Sequence, residues 1–201
     1  MDMYDSWGGI SMITMLAKIF IKNRPAKEQR QAYGTLCSIV GICLNVCLFA
    51  GKYCAGMLSG SVAITADAFN NLSDAGSSFI TLAGFLYAGK TPDSEHPFGH
   101  GRFEYVSGFV VAIAILMMGF ELLKTSFSKI LHPEAVDTSL LAMGILVCSI
   151  LVKIYMYCYN HYIGKKLDSD AMQATAMDSL SDTIATSVVL AAMIIMRLTS
   201  I

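Results

Sequence analysis

Charged residues are scarce in this chain, and their scarcity argues against a soluble domain. Asp, Glu, Lys and Arg together form 14% of the 201 residues, whereas a soluble domain carries about a quarter. Hydrophobic residues form 55%, and the mean hydropathy is +0.57. The sequence also lacks a basic patch interleaved with aromatic residues, so we expect no nucleic-acid partner. The composition predicts an integral, multi-pass membrane protein in contact with the lipid bilayer.

Cys-x-x-Cys pairs are absent, which excludes the usual redox motif and the usual thiolate zinc site. All six cysteines lie in apolar stretches, at positions 37, 43, 47, 54, 148 and 158. In such stretches a free cysteine behaves as a small apolar residue. Free thiols at membrane depth fit a cytoplasmic membrane, and we expect the inner membrane of a prokaryote.

The start of the chain does not have the pattern of a cleavable signal peptide. Apolar residues between positions 12 and 20 alternate with Lys18 and Lys22 at helical spacing. This pattern is typical of a short amphipathic helix lying on the bilayer surface. We therefore expect residues 1–30 to form an N-terminal cytoplasmic or interfacial segment, and residues 31–201 to form a transmembrane domain.

Five segments are long and apolar enough to cross about 30 Å of hydrocarbon as helices. They lie near residues 32–56, 61–88, 101–127, 138–163 and 171–197. The fold class expected is therefore all-α, a polytopic membrane helix bundle. Basic residues concentrate before the first segment and around the 89–100 and 164–170 loops. By the positive-inside rule, the N-terminus and both loops are expected in the cytoplasm.

Two polar pairs interrupt the second and fifth segments, Asn70-x-x-x-Asp74 and Asp178-x-x-x-Asp182. Positions four apart lie on one helix face, and carboxylates at membrane depth usually face a polar cavity or an ion path. If the two segments meet, the pairs form a cage of four oxygen donors. Hard oxygen donors suit Mn²⁺, Mg²⁺ or Ca²⁺, and no His or Cys at these positions favours Zn²⁺.

The loop after the second segment contains a second set of candidate ligands, Asp93, His96 and His100. These three residues could bind a metal at the mouth of the bundle. Alternatively, Pro97 and Gly99 shape a turn in which the histidines are simply solvated. The sequence leaves both interpretations open.

The chain resembles the cation diffusion facilitator family in three features. Residues 67–74 (DAFNNLSD) and 96–105 (HPFGHGRFEY) look like motifs of that family, as does the Asp178–Asp182 pair. The resemblance implies a homodimeric antiporter that exchanges a divalent metal for protons and has no prosthetic group. It also implies that Asn70, Asp74, Asp178 and Asp182 form the transport site, with Asp93, His96 and His100 as a variable loop site.

The same resemblance sets expectations about selectivity and length. Zinc-transporting members generally have a histidine at one of the four positions, often where this chain has Asp178, so the manganese-transporting branch is the better match. Members typically have six spans and then a cytoplasmic metal-binding domain. This chain ends at Ile201, where a sixth span would begin, so we expect either a fragment or a short form that needs a partner.

The leading hypothesis is efflux of Mn²⁺ from the cytoplasm in exchange for protons, which neutralise the carboxylates after the metal leaves. Alternatives are export of Zn²⁺, Fe²⁺, Co²⁺ or Cd²⁺, or a non-transporting metal-binding membrane subunit. An intramembrane aspartyl protease would need two aspartates from different helices, such as Asp74 and Asp178. The Gly-x-Gly-Asp setting of such proteases is absent, so a transporter is expected and not an enzyme.

Overall fold

The computed structural model describes residues 21, 26–59, 62–94, 96–131 and 139–199. Within these ranges all regular structure is helical, which confirms the predicted all-α bundle. The five helices are α1 (Ala26–Ser59), α2 (Val62–Ala88), α3 (Arg102–Leu131), α4 (Leu140–Leu167) and α5 (Asp170–Thr199). The predicted interfacial segment 1–30 lies outside the described residues except for residue 21 and residues 26–30, and the latter belong to α1.

Four of the described helices are both long and apolar enough to cross a membrane. The qualifying stretches are Gln29–Leu58, Arg102–Glu121, Leu140–Leu167 and Asp170–Leu198. Helix α2 has 27 residues, enough to span hydrocarbon by length, but it is not among the four. Its stripe of Asp67, Asn70, Asn71 and Asp74 lowers its mean hydropathy. The protein is an integral membrane protein.

The helices pair as two antiparallel hairpins, with α1 along α2 and α4 along α5, while α3 packs against α2 and α5. The α4–α5 turn contains only Asp168 and Ser169. Asp168 adopts a left-handed conformation with φ 50° and ψ 53°. The hydroxyl of Ser169 accepts a hydrogen bond of 3.4 Å from the Met172 backbone N–H, and this cap starts α5 at once.

One end of the bundle, here called the loop side, contains the 89–101 loop and the α4–α5 turn. The larger of the two buried hydrophobic clusters of the described chain draws on the start of α1, the ends of α2 and α4, and the start of α5. Its fully buried large side chains include Tyr33, Phe85, Tyr159, Ile163 and Met172. The cluster holds these helix ends together, so the polar residues deeper in the bundle have fixed neighbours.

Glycine permits close approach of α3 to α5. A Cβ atom at Gly108 would lie 2.9 Å from the backbone nitrogen of Ala171, closer than van der Waals contact allows. Small residues bring membrane helices together in this way. The contact sets α5 against α3 about two turns before Asp178.

Candidate metal-transport site

Three carboxylates from two helices meet in the middle of the bundle. Asp74 lies on α2, and Asp178 and Asp182 lie one turn apart on α5; one carboxylate oxygen from each falls within 4.8 Å of the others. Asp74 and Asp178 are 1% and 4% exposed, and the Asp182 side chain is 14% exposed. The structure thus brings together three of the four residues predicted for the cage. Grouped, buried carboxylates of this kind need a cation nearby.

A fourth charged group, Lys153 of α4, completes this cluster, and sequence reasoning overlooked it. Its ammonium Nζ donates a hydrogen bond of 2.6 Å to Asp74 Oδ2 and another of 2.6 Å to Asp182 Oδ2. The Lys153 side chain is 4% exposed. A signal was available, because Lys153 lies in the middle of a 28-residue apolar helix. An intramembrane lysine is by default a candidate functional residue with an acidic partner.

The carboxylate of Asp74 retains capacity for a further partner. Its second oxygen, Oδ1, is buried and accepts no hydrogen bond from any residue that the structure describes. An unsatisfied buried carboxylate oxygen is costly, and a cation bound among the three aspartates would relieve that cost. The donor set therefore fits a divalent ion with oxygen ligands.

Asn70, the fourth predicted ligand, is placed differently. Its side chain is exposed, whereas Asp74, one turn further along α2, is buried. The neighbouring Asn71 is the buried amide, and its Nδ2 donates a hydrogen bond of 2.9 Å to the backbone oxygen of Asp67. Asn70 as a metal ligand stays a prediction.

Three contacts join helices on the loop side of the carboxylates. The hydroxyl oxygens of Thr81 and Thr175 lie 3.0 Å apart and link α2 to α5. Arg30 of α1 forms a fork with both oxygens of buried Glu104, at 2.5 and 2.9 Å. Its Nε also donates a hydrogen bond of 3.0 Å to the backbone oxygen of Leu167. Together these contacts therefore connect all five described helices on the loop side.

The loop residues Asp93, His96 and His100 are also brought together. Asp93 Oδ1 accepts a hydrogen bond of 2.6 Å from the His96 backbone N–H and lies 3.2 Å from His96 Nδ1. His100 Nε2 lies 3.5 Å from Asp93 Oδ2, and the two imidazole centroids are 4.4 Å apart. The predicted turn is present too, with Gly99 at φ 82°. Geometry alone thus allows both the turn and a metal site.

Residues 38–201 match the family model of the cation efflux transmembrane domain. The chain belongs to the cation-efflux family. This assignment confirms the resemblance to cation diffusion facilitators that the motifs of α2 and the loop indicated. It also places the buried aspartates of α2 and α5 within the matched domain.

Relatives in this family include proteins named for transport. An uncharacterized transporter of Methanocaldococcus jannaschii is 32% identical over 80% of this chain and 56% of its own length. The manganese efflux system proteins MneS and MneP of Bacillus subtilis are each 30% identical, over 72% and 79% of this chain and 50% and 53% of their own lengths. The chain spans about half the length of these curated relatives.

The family assignment corrects the enzyme alternative raised from the sequence. Asp74 and Asp178 do come from different helices, as an intramembrane aspartyl protease would require. However, the matched domain is a cation efflux domain, and these relatives are named as transporters or efflux proteins. The findings support a transporter.

Proposed function

We propose that this chain forms the membrane part of a divalent metal exporter whose ion binds at Asp74, Asp178 and Asp182. The observation that carries the proposal is the meeting of these three carboxylates, from two helices, in the buried centre of the bundle. Asn70 is proposed as a fourth donor that turns inward when the ion binds. No prosthetic group is part of this proposal, since the metal is the cargo.

Mn²⁺ is the proposed cargo. The site offers hard carboxylate oxygens and no imidazole or thiolate, which suits Mn²⁺ better than Zn²⁺. Two relatives at 30% identity are named as manganese efflux proteins, which supports the same choice. Fe²⁺, Co²⁺, Cd²⁺ and Zn²⁺ are the competitors that a transport assay has to compare.

The proposed mechanism is exchange of the metal for protons by alternating access. Lys90, Arg102, Lys165 and Lys166 flank the loop side, so the positive-inside rule favours a cytoplasmic loop side and N-terminus. The ion would enter from there, and the Thr81–Thr175 and Arg30–Glu104 contacts would then close that route. Protons would take the place of the ion on the carboxylates after its release on the other side.

The proposed setting is the inner membrane of a prokaryote, with a second copy of the chain as partner. Relatives from Methanocaldococcus and Bacillus support a prokaryotic setting. The resemblance to cation diffusion facilitators supports the proposed homodimer, and chemical cross-linking in native membranes followed by mass analysis tests it.

Transport assays in proteoliposomes test the site. We expect Asp74→Asn and Asp178→Asn to reduce Mn²⁺ flux by at least about tenfold, because each removes one carboxylate from the ion. Asp67→Asn is the matched control, since Asp67 lies on α2 but pairs with Lys52 at 2.8 Å, outside the cluster. Undiminished flux in Asp74→Asn and Asp178→Asn would overturn the site assignment.

Selectivity is tested by changing one donor. Asp178→His adds a softer nitrogen ligand, so we expect the ratio of Zn²⁺ to Mn²⁺ transport to rise. A metal-competition assay on the same proteoliposomes measures this ratio, with Asn70→Asp as a variant that keeps all donors hard. An unchanged ratio in Asp178→His would contradict the argument from ligand softness.

We also propose that Asp93, His96 and His100 form a second, loop-side metal site. Two imidazoles and one carboxylate favour Co²⁺ or Zn²⁺ over Mn²⁺. Co²⁺ absorption spectra of the purified chain should lose a signal in His100→Ala but keep it in His161→Ala, because His161 lies on α4 and is not part of the Asp93–His96–His100 cluster. Equal spectra in both variants would leave the loop as a structural turn only.

A further inference from the structure

Lys153 occupies the space between two carboxylates that the proposed function assigns to the metal. Its Nζ lies 2.6 Å from Asp74 Oδ2 on α2 and 2.6 Å from Asp182 Oδ2 on α5. Helix α4 supplies this cation and none of the three clustered carboxylates. The ammonium therefore holds α2 and α5 together through a third helix.

An ammonium and a metal ion cannot bridge the same two oxygens at once. Divalent ions with oxygen ligands bind at about 2.0 to 2.6 Å, so an ion between Asp74 Oδ2 and Asp182 Oδ2 would overlap Nζ. The unpartnered Asp74 Oδ1 offers a first contact for an arriving ion. The other oxygens become available only when Lys153 moves aside.

We propose that Lys153 is a tethered competitor of the transported cation: its ammonium bridges Asp74 and Asp182 before loading, and the arriving ion displaces it. This inference rests on the proposed function, because it assigns Lys153 a role at the same site. The flexible four-carbon stem of lysine lets the ammonium swing away while it keeps its charge. The competition lowers metal affinity and speeds release, as a carrier requires.

The inference predicts that removing a residue from the site tightens metal binding instead of weakening it. Removing the competitor should strengthen ion binding, so Lys153→Met is expected to lower the Mn²⁺ dissociation constant by about tenfold, within the usual range for coupled sites. Release should slow, so turnover in exchange assays should fall although binding is tighter. A purely structural role for Lys153 predicts the opposite, namely weaker binding in Lys153→Met.

The experiment measures free Mn²⁺ by electron paramagnetic resonance in titrations of the chain reconstituted in nanodiscs. Lys153→Arg retains a cation and is expected to bind Mn²⁺ no more tightly than the wild type. Lys52→Met is the matched control, because Lys52 is equally buried but pairs with Asp67 outside the cluster. Lys153→Gln, which keeps a polar side chain without charge, repeats the test if Lys153→Met does not fold.

Each outcome decides one of the two hypotheses. Tighter binding in Lys153→Met or Lys153→Gln, with Lys52→Met unchanged, supports the competitor role. Unchanged or weaker binding in these Lys153 variants, with normal binding by the wild type, overturns that role and leaves the transport site intact. No Mn²⁺ binding by the wild type would overturn the proposed function, and the competitor role with it.

Discussion

The hydroxyl oxygens of Thr81 and Thr175 lie 3.0 Å apart and join α2 to α5 on the loop side of the buried aspartates. Thr81 lies about two turns beyond Asp74 along α2, and Thr175 about one turn before Asp178 along α5. The two helices that carry the carboxylates are therefore held together between the cluster and the loop side. An ion on its way from that side would have to separate them.

Cross-linking Thr81 to Thr175 should stop transport. In a chain whose six cysteines are replaced, Thr81→Cys combined with Thr175→Cys should form a disulfide under mild oxidation. We expect Mn²⁺ flux to be lost on oxidation and recovered on reduction, because the covalent bond keeps α2 and α5 together. Thr81→Cys with Thr186→Cys is the control, since position 186 lies roughly 16 Å further along α5. Full flux in the oxidised Thr81–Thr175 pair would show that these helices need not separate.

Arg30→Ala should destabilise the loop side of the bundle. Glu104 is 2% exposed, so removal of its guanidinium partner leaves a buried carboxylate with a large part of its hydrogen bonding lost. We expect a loss of about 1–3 kcal/mol, measured by thermal unfolding in nanodiscs. Arg102 is exposed and lies two residues before Glu104 in sequence. Its replacement by alanine, Arg102→Ala, is the control and should change stability by less than about 0.5 kcal/mol. Adding Glu104→Gln to Arg30→Ala removes the buried charge and should recover part of the lost stability. A further decrease in stability in the double variant would contradict the explanation that the Glu104 carboxylate lacks its partner.

Gly108→Ala should disturb the packing of α3 on α5. The new Cβ would meet the Ala171 backbone nitrogen at 2.9 Å, and backbone atoms cannot move aside as a flexible side chain can. Overpacking of this kind costs about 1–3 kcal/mol. Gly119→Ala on the same helix is the control, because a Cβ there has no heavy-atom neighbour within 4 Å among the described residues. Thermal unfolding of both variants should separate them, and equal stability would contradict the close approach.

Asp93 should remain ionised at unusually acid pH. The hydrogen bond from the His96 backbone N–H holds the pKa of the Asp93 carboxyl below its usual range. Because the pKa is lowered in the folded chain, the stability that Asp93 gives to the turn is present above about pH 3.9, the ordinary aspartate value. It is lost only as the pH falls through the lowered value. The His96 amide shift in nuclear magnetic resonance should titrate with a midpoint below about 3.9, and Asp93→Asn should abolish this titration.

Much of the site could be predicted from the sequence because the spacing of its residues within one helix or one short loop already places them together. The spacing of Asp178 and Asp182 places both on one helix face, and a carboxylate at membrane depth on α2 is expected to face a polar site such as that one. The clustering of Asp93, His96 and His100 follows in the same way from a short turn. Four of the five long helices could be assigned from length and apolar composition, whereas α2 has the length but a lower hydropathy because of its polar stripe.

What could not be predicted depends on the rotation of each helix about its axis. Asn70 and Asn71 are adjacent, and sequence spacing alone favoured Asn70, yet Asn71 is the buried one. Lys153 lies 29 residues from Asp182 and 79 from Asp74 in sequence, so no spacing rule links them. Only the three-dimensional structure shows that the single mid-helix cation of α4 reaches the carboxylates of α2 and α5.

The three aspartates and one lysine of the cluster also determine its net charge when a cation is bound. With all four groups ionised, the cluster has two negative charges in excess, which a divalent cargo cancels and a monovalent or trivalent one does not. Moving an uncompensated charge through the membrane potential takes about 2.3 kcal/mol for each 100 mV. In the proposed exporter, the cluster loaded with a divalent ion would therefore have no net charge as the helices move, and Lys153 would be the residue that makes the sum zero.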